Sequence, residues 1–155
     1  MDNAIIQMAW QGDRKSIARC ISLIENAAEG HETIISQAAA EQVVPLIGIT
    51  GPPGAGKSTL VDALVEAFVA EEKKVAVVCV DPSSPFNKGA LLGDRIRMNR
   101  WYNHPLVYIR SLASRGSMGG LHPSAKQITA FLQGCGFDLI ILETVGVGQS
   151  EIEIA

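Results

Sequence analysis

No stretch of this sequence approaches the roughly 18 consecutive apolar residues needed to span a bilayer, and no Lys/Arg run forms a stripe. Charged residues make up 19% of the chain and the net charge is −3. Neither nucleic acid nor a membrane is therefore the expected partner. Cysteine is scarce: Cys20, Cys79 and Cys135 lie far apart, are odd in number, and form no CxxC pair and no metal-binding spacing. That argues against a disulfide scaffold and fits reduced thiols in a cytoplasmic setting. The first residues, Met-Asp-Asn, resemble neither a signal peptide nor an Arg-rich transit sequence. What the chain does have is apolar residues, 47% of the total over 155 positions, enough to bury the core of one globular domain.

Residues 1–44 read as helical. Ile17, Cys20, Ile21, Ile24 and Ala28 recur on one face of an amphipathic helix, Asp13 can cap its start, and Gly30 sits where a helix often ends. A further helix is expected over 31–42, and the segment as a whole suits packing rather than chemistry. From residue 45 the pattern changes. Leu46-Ile47-Gly48-Ile49-Thr50 reads as a short buried strand followed by a Gly/Pro turn. Residues 57–71 predict a helix with Leu60, Ala63, Leu64, Ala67 and Phe68 as its apolar stripe. Residues 75–80 predict a strand apolar on both faces, as a central parallel strand is. A third strand is expected at 106–109, a helix after Pro123-Ser124 that stops near Gly134 and Gly136, and a fourth strand at 138–142. This order says α/β with a mainly parallel sheet.

Between the first strand and its helix stands Gly51-Pro52-Pro53-Gly54-Ala55-Gly56-Lys57-Ser58, which fits GxxxxGK[ST]. The glycines let successive N–H groups approach phosphate oxygens without Cβ obstruction, and the helix N-terminus adds its positive dipole end. Lys57 supplies a full charge near the β/γ-phosphates, and the Ser58 hydroxyl can ligate Mg²⁺. With Thr59, these residues make the expected nucleotide-binding loop. In a parallel α/β sheet, ligands gather at the carboxyl ends of the strands. Asp81 ends the second strand and Glu143 the fourth, where a metal or an attacking water needs a carboxylate. By pattern alone each could be a solvated loop acid, and the GDRIRM segment (93–98) reads more readily as an exposed helix face.

Taken together, GPPGAGKST (51–59), DPSSP (81–85), GDRIRM (93–98), RGSMGGL (115–121) and ETVGVGQSE (143–151) resemble the MeaB/ArgK family in order and spacing. These are P-loop GTPases of the signal-recognition-particle-like branch that act as chaperones of cobalamin-dependent acyl-CoA mutases, chiefly methylmalonyl-CoA mutase. The stretch from Gly12 to Glu25 is similar to the family's N-terminal helical segment. The resemblance implies a P-loop NTPase fold in which an N-terminal helical segment (1–44) precedes a partial GTPase domain (45–155). It implies GTP/GDP and Mg²⁺ as ligands, a mutase partner, and a homodimer at full length. It also makes Asp94 the Mg²⁺-site aspartate, reversing the pattern-only reading, Asp81 a mobile switch acid, and Glu143 the acid of the second metal-facing motif. Gly146 would sense the γ-phosphate through its N–H, and Arg95 or Arg97 would stabilise transition-state charge.

No guanine-reading NKxD motif occurs in the sequence, so guanine specificity rests on the resemblance. The sequence reads as the front part of a family member, which predicts an uncovered sheet edge beside Ile140 and Leu142 and a marginally stable isolated chain. Three rivals are weighed against a regulatory GTPase. A P-loop kinase, as ArgK-type sequences have been labelled, would want an Arg-rich acceptor lid. A binding module without turnover is the second. A metal-insertion GTPase would want His/Cys clusters, whereas His31, His104 and His122 are isolated surface residues by pattern.

Overall fold

The computed structural model describes residues 3–37, 44–50, 56–81, 99–113 and 124–144. Three helices open the chain, α1 (Asn3–Trp10), α2 (Arg14–Glu25) and α3 (His31–Gln37). Asp13 caps α2 as its sequence position predicts, accepting from the Ser16 backbone N–H at 3.0 Å and from the Ser16 hydroxyl at 2.6 Å. These bonds hold the Asp13 carboxyl below its ordinary pKa. The helix ends earlier than expected. Its C-cap is Asn26, Ala27 takes a positive φ of 49°, and Gly30, at φ 95°, leads into α3 instead of closing α2. Asn26 and Ala27 bond back to Ser22 and Ile24, which closes the turn without a glycine.

The remaining described elements are β1 (Leu46–Ile49), α4 (Lys57–Ala70), β2 (Val75–Asp81), α5 (Asn99–Tyr102), β3 (Val107–Ala113), α6 (Ala125–Leu132) and β4 (Leu139–Thr144). The four strands form one parallel sheet in the order β1-β4-β2-β3. Every residue of β4 is buried, and so is the apolar run 75–80 of β2, as two-sided cover of a central parallel strand requires. β3 runs to Ala113, four residues past its predicted end, because it pairs with β2 along the whole of that strand.

The two faces of the sheet have separate cores. On one, Ala76, Val78, Val80, Ile140 and Leu142 pack under α1, α2, α3 and α6 through residues such as Ile6, Ile17, Ile21, Ile34 and Phe131. The helical segment is therefore a layer over the sheet. Arg110 of β3 pins it, donating to Ser22 Oγ at 2.8 Å and Glu25 Oε1 at 3.2 Å, while Arg14 donates to the carbonyls of His104 and Val107. On the other face, Val75, Val77, Leu139 and Ile141 pack against Val61 and Val65 of α4 and against Trp101.

Two sequence expectations change here. The buried face of α4 is Val61 and Val65, with Leu64 and Phe68 beside it, whereas Leu60 is 51% exposed and Ala63 and Ala67 are exposed. This helix is apolar nearly all round, so spacing allowed two stripes, and docking on β2 selected one. The sheet edge also differs from expectation. Ile140 and Leu142 lie in β4, paired on both sides by β1 and β2, and the outer described strand on that side is β1. Its burial follows from this: Leu46 is 46% exposed, and only Ile49 of the strand is buried, so β1 is not the buried strand its composition predicted.

Gly134 is required by a close approach. A Cβ there would stand 2.4 Å from Trp10 Cζ3, on a ring already packed against Phe131 with centroids 5.1 Å apart. Gly134→Ala is expected to destabilise the fold by about 1–3 kcal/mol through overpacking, read as a lower melting temperature. The Trp10→Phe/Gly134→Ala pair should lose less than the sum of the single changes, since the smaller ring clears the added methyl. Additive losses would contradict the contact.

Candidate functional site

The carboxyl ends of β1, β4 and β2 meet the start of α4. Gly56, at φ 89°, is the N-cap of α4 and turns the chain into the helix with Lys57 as its first residue. This left-handed conformation suits glycine. Lys57 is only 8% exposed, and its Nζ donates to the Thr144 carbonyl at 2.9 Å, at the last residue of β4. Thr144 in turn shares a hydroxyl–hydroxyl bond of 2.9 Å with Thr50, the residue that follows β1. Lys57 thus sits between the α4 N-terminus and the ends of two strands, a concentration of positive charge suited to an anion.

Glu143 is the penultimate residue of β4, one position inside the strand end, and is 2% exposed. It is in register with Ile49 of β1 and Cys79 of β2, and Cys79 Sγ lies 3.8 Å from Glu143 Oε2. A carboxylate taken this far out of water at a strand end is costly unless its surroundings supply donors or a cation. Asp81 closes β2, one residue beyond Val80, the register partner of Thr144. Ser58 and Thr59 occupy the first turn of α4, Thr59 being exposed.

Of the residues singled out from sequence, Gly56, Lys57, Ser58, Thr59, Asp81 and Glu143 therefore fall at one edge of the sheet. Gly51, Pro52, Pro53, Gly54, Ala55, Asp94, Arg95, Arg97 and Gly146 lie outside the described residues. His31 and His104 are half-buried rather than surface groups and serve local turns, His31 Nδ1 at 2.8 Å from the Ala28 carbonyl and His104 Nδ1 accepting from the Leu106 N–H at 3.1 Å. Sequence reasoning missed Thr50, Thr144 and Cys79. Their motif neighbours flagged the segments, but only strand pairing brings Thr144 onto Thr50 and Cys79 onto Glu143.

A second polar group lies one helical turn below Ser58. Asp62 accepts from Arg100 Nε at 3.1 Å, from an Arg100 terminal nitrogen at 2.7 Å and from Trp101 Nε1 at 2.6 Å, and the Arg100 guanidinium lies 4.4 Å from the centroid of the Trp101 ring. α5 is thereby fastened to α4.

Residues 17–155 match the family described as methylmalonyl Co-A mutase-associated GTPase MeaB. The chain belongs to the MeaB family. Within and around the family it is 47% identical over 156 residues to a Pyrococcus horikoshii protein, covering 97% of this chain and 48% of that one. It is 39% identical over 156 residues to the GTPase ArgK of Escherichia coli, covering 97% and 47%. It is also 47% identical over 154 residues to a fused isobutyryl-CoA mutase of Geobacillus kaustophilus, covering 92% of this chain and 14% of the mutase. Among solved structures, a LAO/AO transport system kinase superposes with a TM-score of 0.68 at 30% identity, covering 98% of this chain and 45% of that one. The α/β P-loop fold of the family is the one described above, and this chain spans just under half the length of the Pyrococcus and Escherichia coli relatives. No helix among the described residues is long and apolar enough to cross a membrane.

Proposed function

We propose that these residues form the phosphate- and metal-binding part of a GTPase that regulates cofactor loading or protection of a cobalamin-dependent acyl-CoA mutase. The observation that carries the reading is the Lys57 ammonium bonded to the carbonyl that follows the buried Glu143 carboxylate. It supports a reading in which one strand end carries both a cation for the phosphates and an acid for the metal region. The relative that contains a mutase in the same polypeptide supports the partner class. In this reading residues 45–155 contribute to the GTPase domain, residues 1–44 form its helical cover, and the complete protein is a homodimer.

Lys57 and the α4 N–H groups hold the β- and γ-phosphates. The residues present fit Mg²⁺, because the Glu143 carboxylate is a hard oxygen donor shielded from bulk water at the same edge as Ser58. Bound there with Ser58, Asp94 and Glu143 around it, the ion would neutralise charge on the phosphate oxygens. Asp81 and Gly146 respond to the γ-phosphate as switch residues, and Arg95 or Arg97 stabilises developing charge. Catalysis of this kind needs position and electrostatics more than covalent chemistry.

One observation favours a second reading: a solved structure similar to this chain is that of a LAO/AO transport system kinase. Phosphate release separates the two. With γ-labelled GTP and Mg²⁺, measured on the longest natural product that contains this chain, label is expected in water-borne phosphate, with GTP preferred over ATP. Label on an amino acid or protein acceptor would favour the kinase.

A further inference from the structure

We propose that Cys79 is a positioning residue for Glu143, its thiol donating across the β2–β4 pair to fix the plane of the carboxylate. The proposal rests on Glu143 serving the metal and γ-phosphate region. Cys79 and Glu143 are register partners on adjacent parallel strands. Their side chains share the α4 face. Cys79 belongs to the core cluster with Val61, Val65 and Ile141, and Glu143 follows Ile141 by two residues on the same strand. Both are buried, Cys79 at 8% exposure and Glu143 at 2%, with Sγ 3.8 Å from Oε2. An ionised carboxylate only accepts hydrogen bonds, so the thiol is the donor.

A thiol is a weak donor, and the importance of this one is orientational. Glu143 has three side-chain torsions to fix and stands at a strand end. A donor on the neighbouring strand, held by a continuous backbone ladder, ties Oε2 toward β2 and so sets the direction the carboxylate faces. Catalysis by placed charge is sensitive to such placement. The bland alternative is that Cys79 merely fills a small core site. Alanine would then serve nearly as well, and a serine hydroxyl would be no better than alanine.

Two measurements on the longest natural chain separate these readings. The first is the S–H infrared stretch of Cys79, identified as the band lost in Cys79→Ala. It is expected at a lower frequency than an unbonded thiol and should shift upward in Glu143→Gln, because an amide oxygen is the weaker acceptor. A band unmoved by Glu143→Gln overturns the contact, whatever the activity. The second is turnover. Cys79→Ala should lower kcat roughly tenfold, on the scale of one lost hydrogen bond to a charged group, with nucleotide Kd within about twofold, and Cys79→Ser should recover most of the loss. Wild-type turnover in Cys79→Ala, or a Cys79→Ser variant as slow as Cys79→Ala, overturns the positioning role. If the band shifts but Glu143→Gln itself hydrolyses normally, the contact stands, and the assignment of Glu143 falls together with the role built on it.

Discussion

Lys57→Ala is expected to weaken binding of GTP and GDP by about a hundredfold or more. Lys57 is nearly buried at the junction of α4 with the ends of β1 and β4, and its ammonium is held toward Thr144. Among the described residues at this edge the backbone and Thr50 and Thr144 supply dipoles and hydroxyls, while Lys57 supplies a full positive charge. Two charge-assisted bonds to phosphate oxygens, at about 1.5–3 kcal/mol each, exceed the roughly 2.7 kcal/mol that a hundredfold requires. Lys57→Arg should not rescue, because the planar guanidinium is wider than the ammonium that this narrow position accepts. Titration of a fluorescent GTP analogue in the presence of Mg²⁺ reads the effect. Equal Kd values for the wild type and Lys57→Ala would remove Lys57 from the phosphate site and leave it a structural lysine tying α4 to β4.

Glu143→Gln is expected to slow hydrolysis about a hundredfold while changing GDP affinity by no more than about threefold. The substitution keeps the shape of the side chain, so it opens no cavity in the face that α4 covers. It removes the negative charge from the carboxylate that the proposed function assigns to the metal region, and loss of one electrostatic element of this kind commonly costs about 10²–10³ in turnover. In the proposed function GDP is held chiefly by the phosphate loop, so its affinity should be little affected. Stability should not fall, because a neutral amide is cheaper to bury than a carboxylate. The melting temperature is thus a built-in control. Single-turnover phosphate release at saturating Mg²⁺ checks the rate, and turnover within twofold of wild type would mean that Glu143 is a structural carboxylate. Asp94→Asn is expected to behave in the same way on the strength of the GDR motif.

Much of the site was legible because its chemistry demands particular residues at fixed spacing. A turn that bares N–H groups needs glycine, and the charge beside it needs a lysine, so the GxxxxGK[ST] pattern pointed to Lys57, which the structure sets at the start of α4 beside the ends of β1 and β4. Glu143 was legible for a related reason: an apolar strand that ends in a carboxylate before Gly-rich sequence delivers that acid to the carboxyl edge of a parallel sheet. Cys79 carried no such mark. Its neighbours in sequence are valines, and its relation to Glu143 exists only because β4 lies between β1 and β2 in one register. Asp62 was equally silent, since an acid on a helix four residues after Ser58 reads as a solvated face until Arg100 and Trp101 are found upon it.

The sequence by itself determined the class of fold, the order of its described elements and the cap at Asp13, because each follows from local periodicity or from the steric needs of a short motif. Tertiary structure decided what depends on neighbours distant in the chain. It selected the Val61/Val65 side of an α4 that is apolar nearly all round. It placed β1 outermost among the described strands, with Leu46 half exposed although its composition suits a core strand. It extended β3 to match β2, and it ended α2 at Glu25 through backbone bonds at Asn26 and Ala27 rather than at Gly30. In each case local preference left two near-equal alternatives, and burial against another element chose between them.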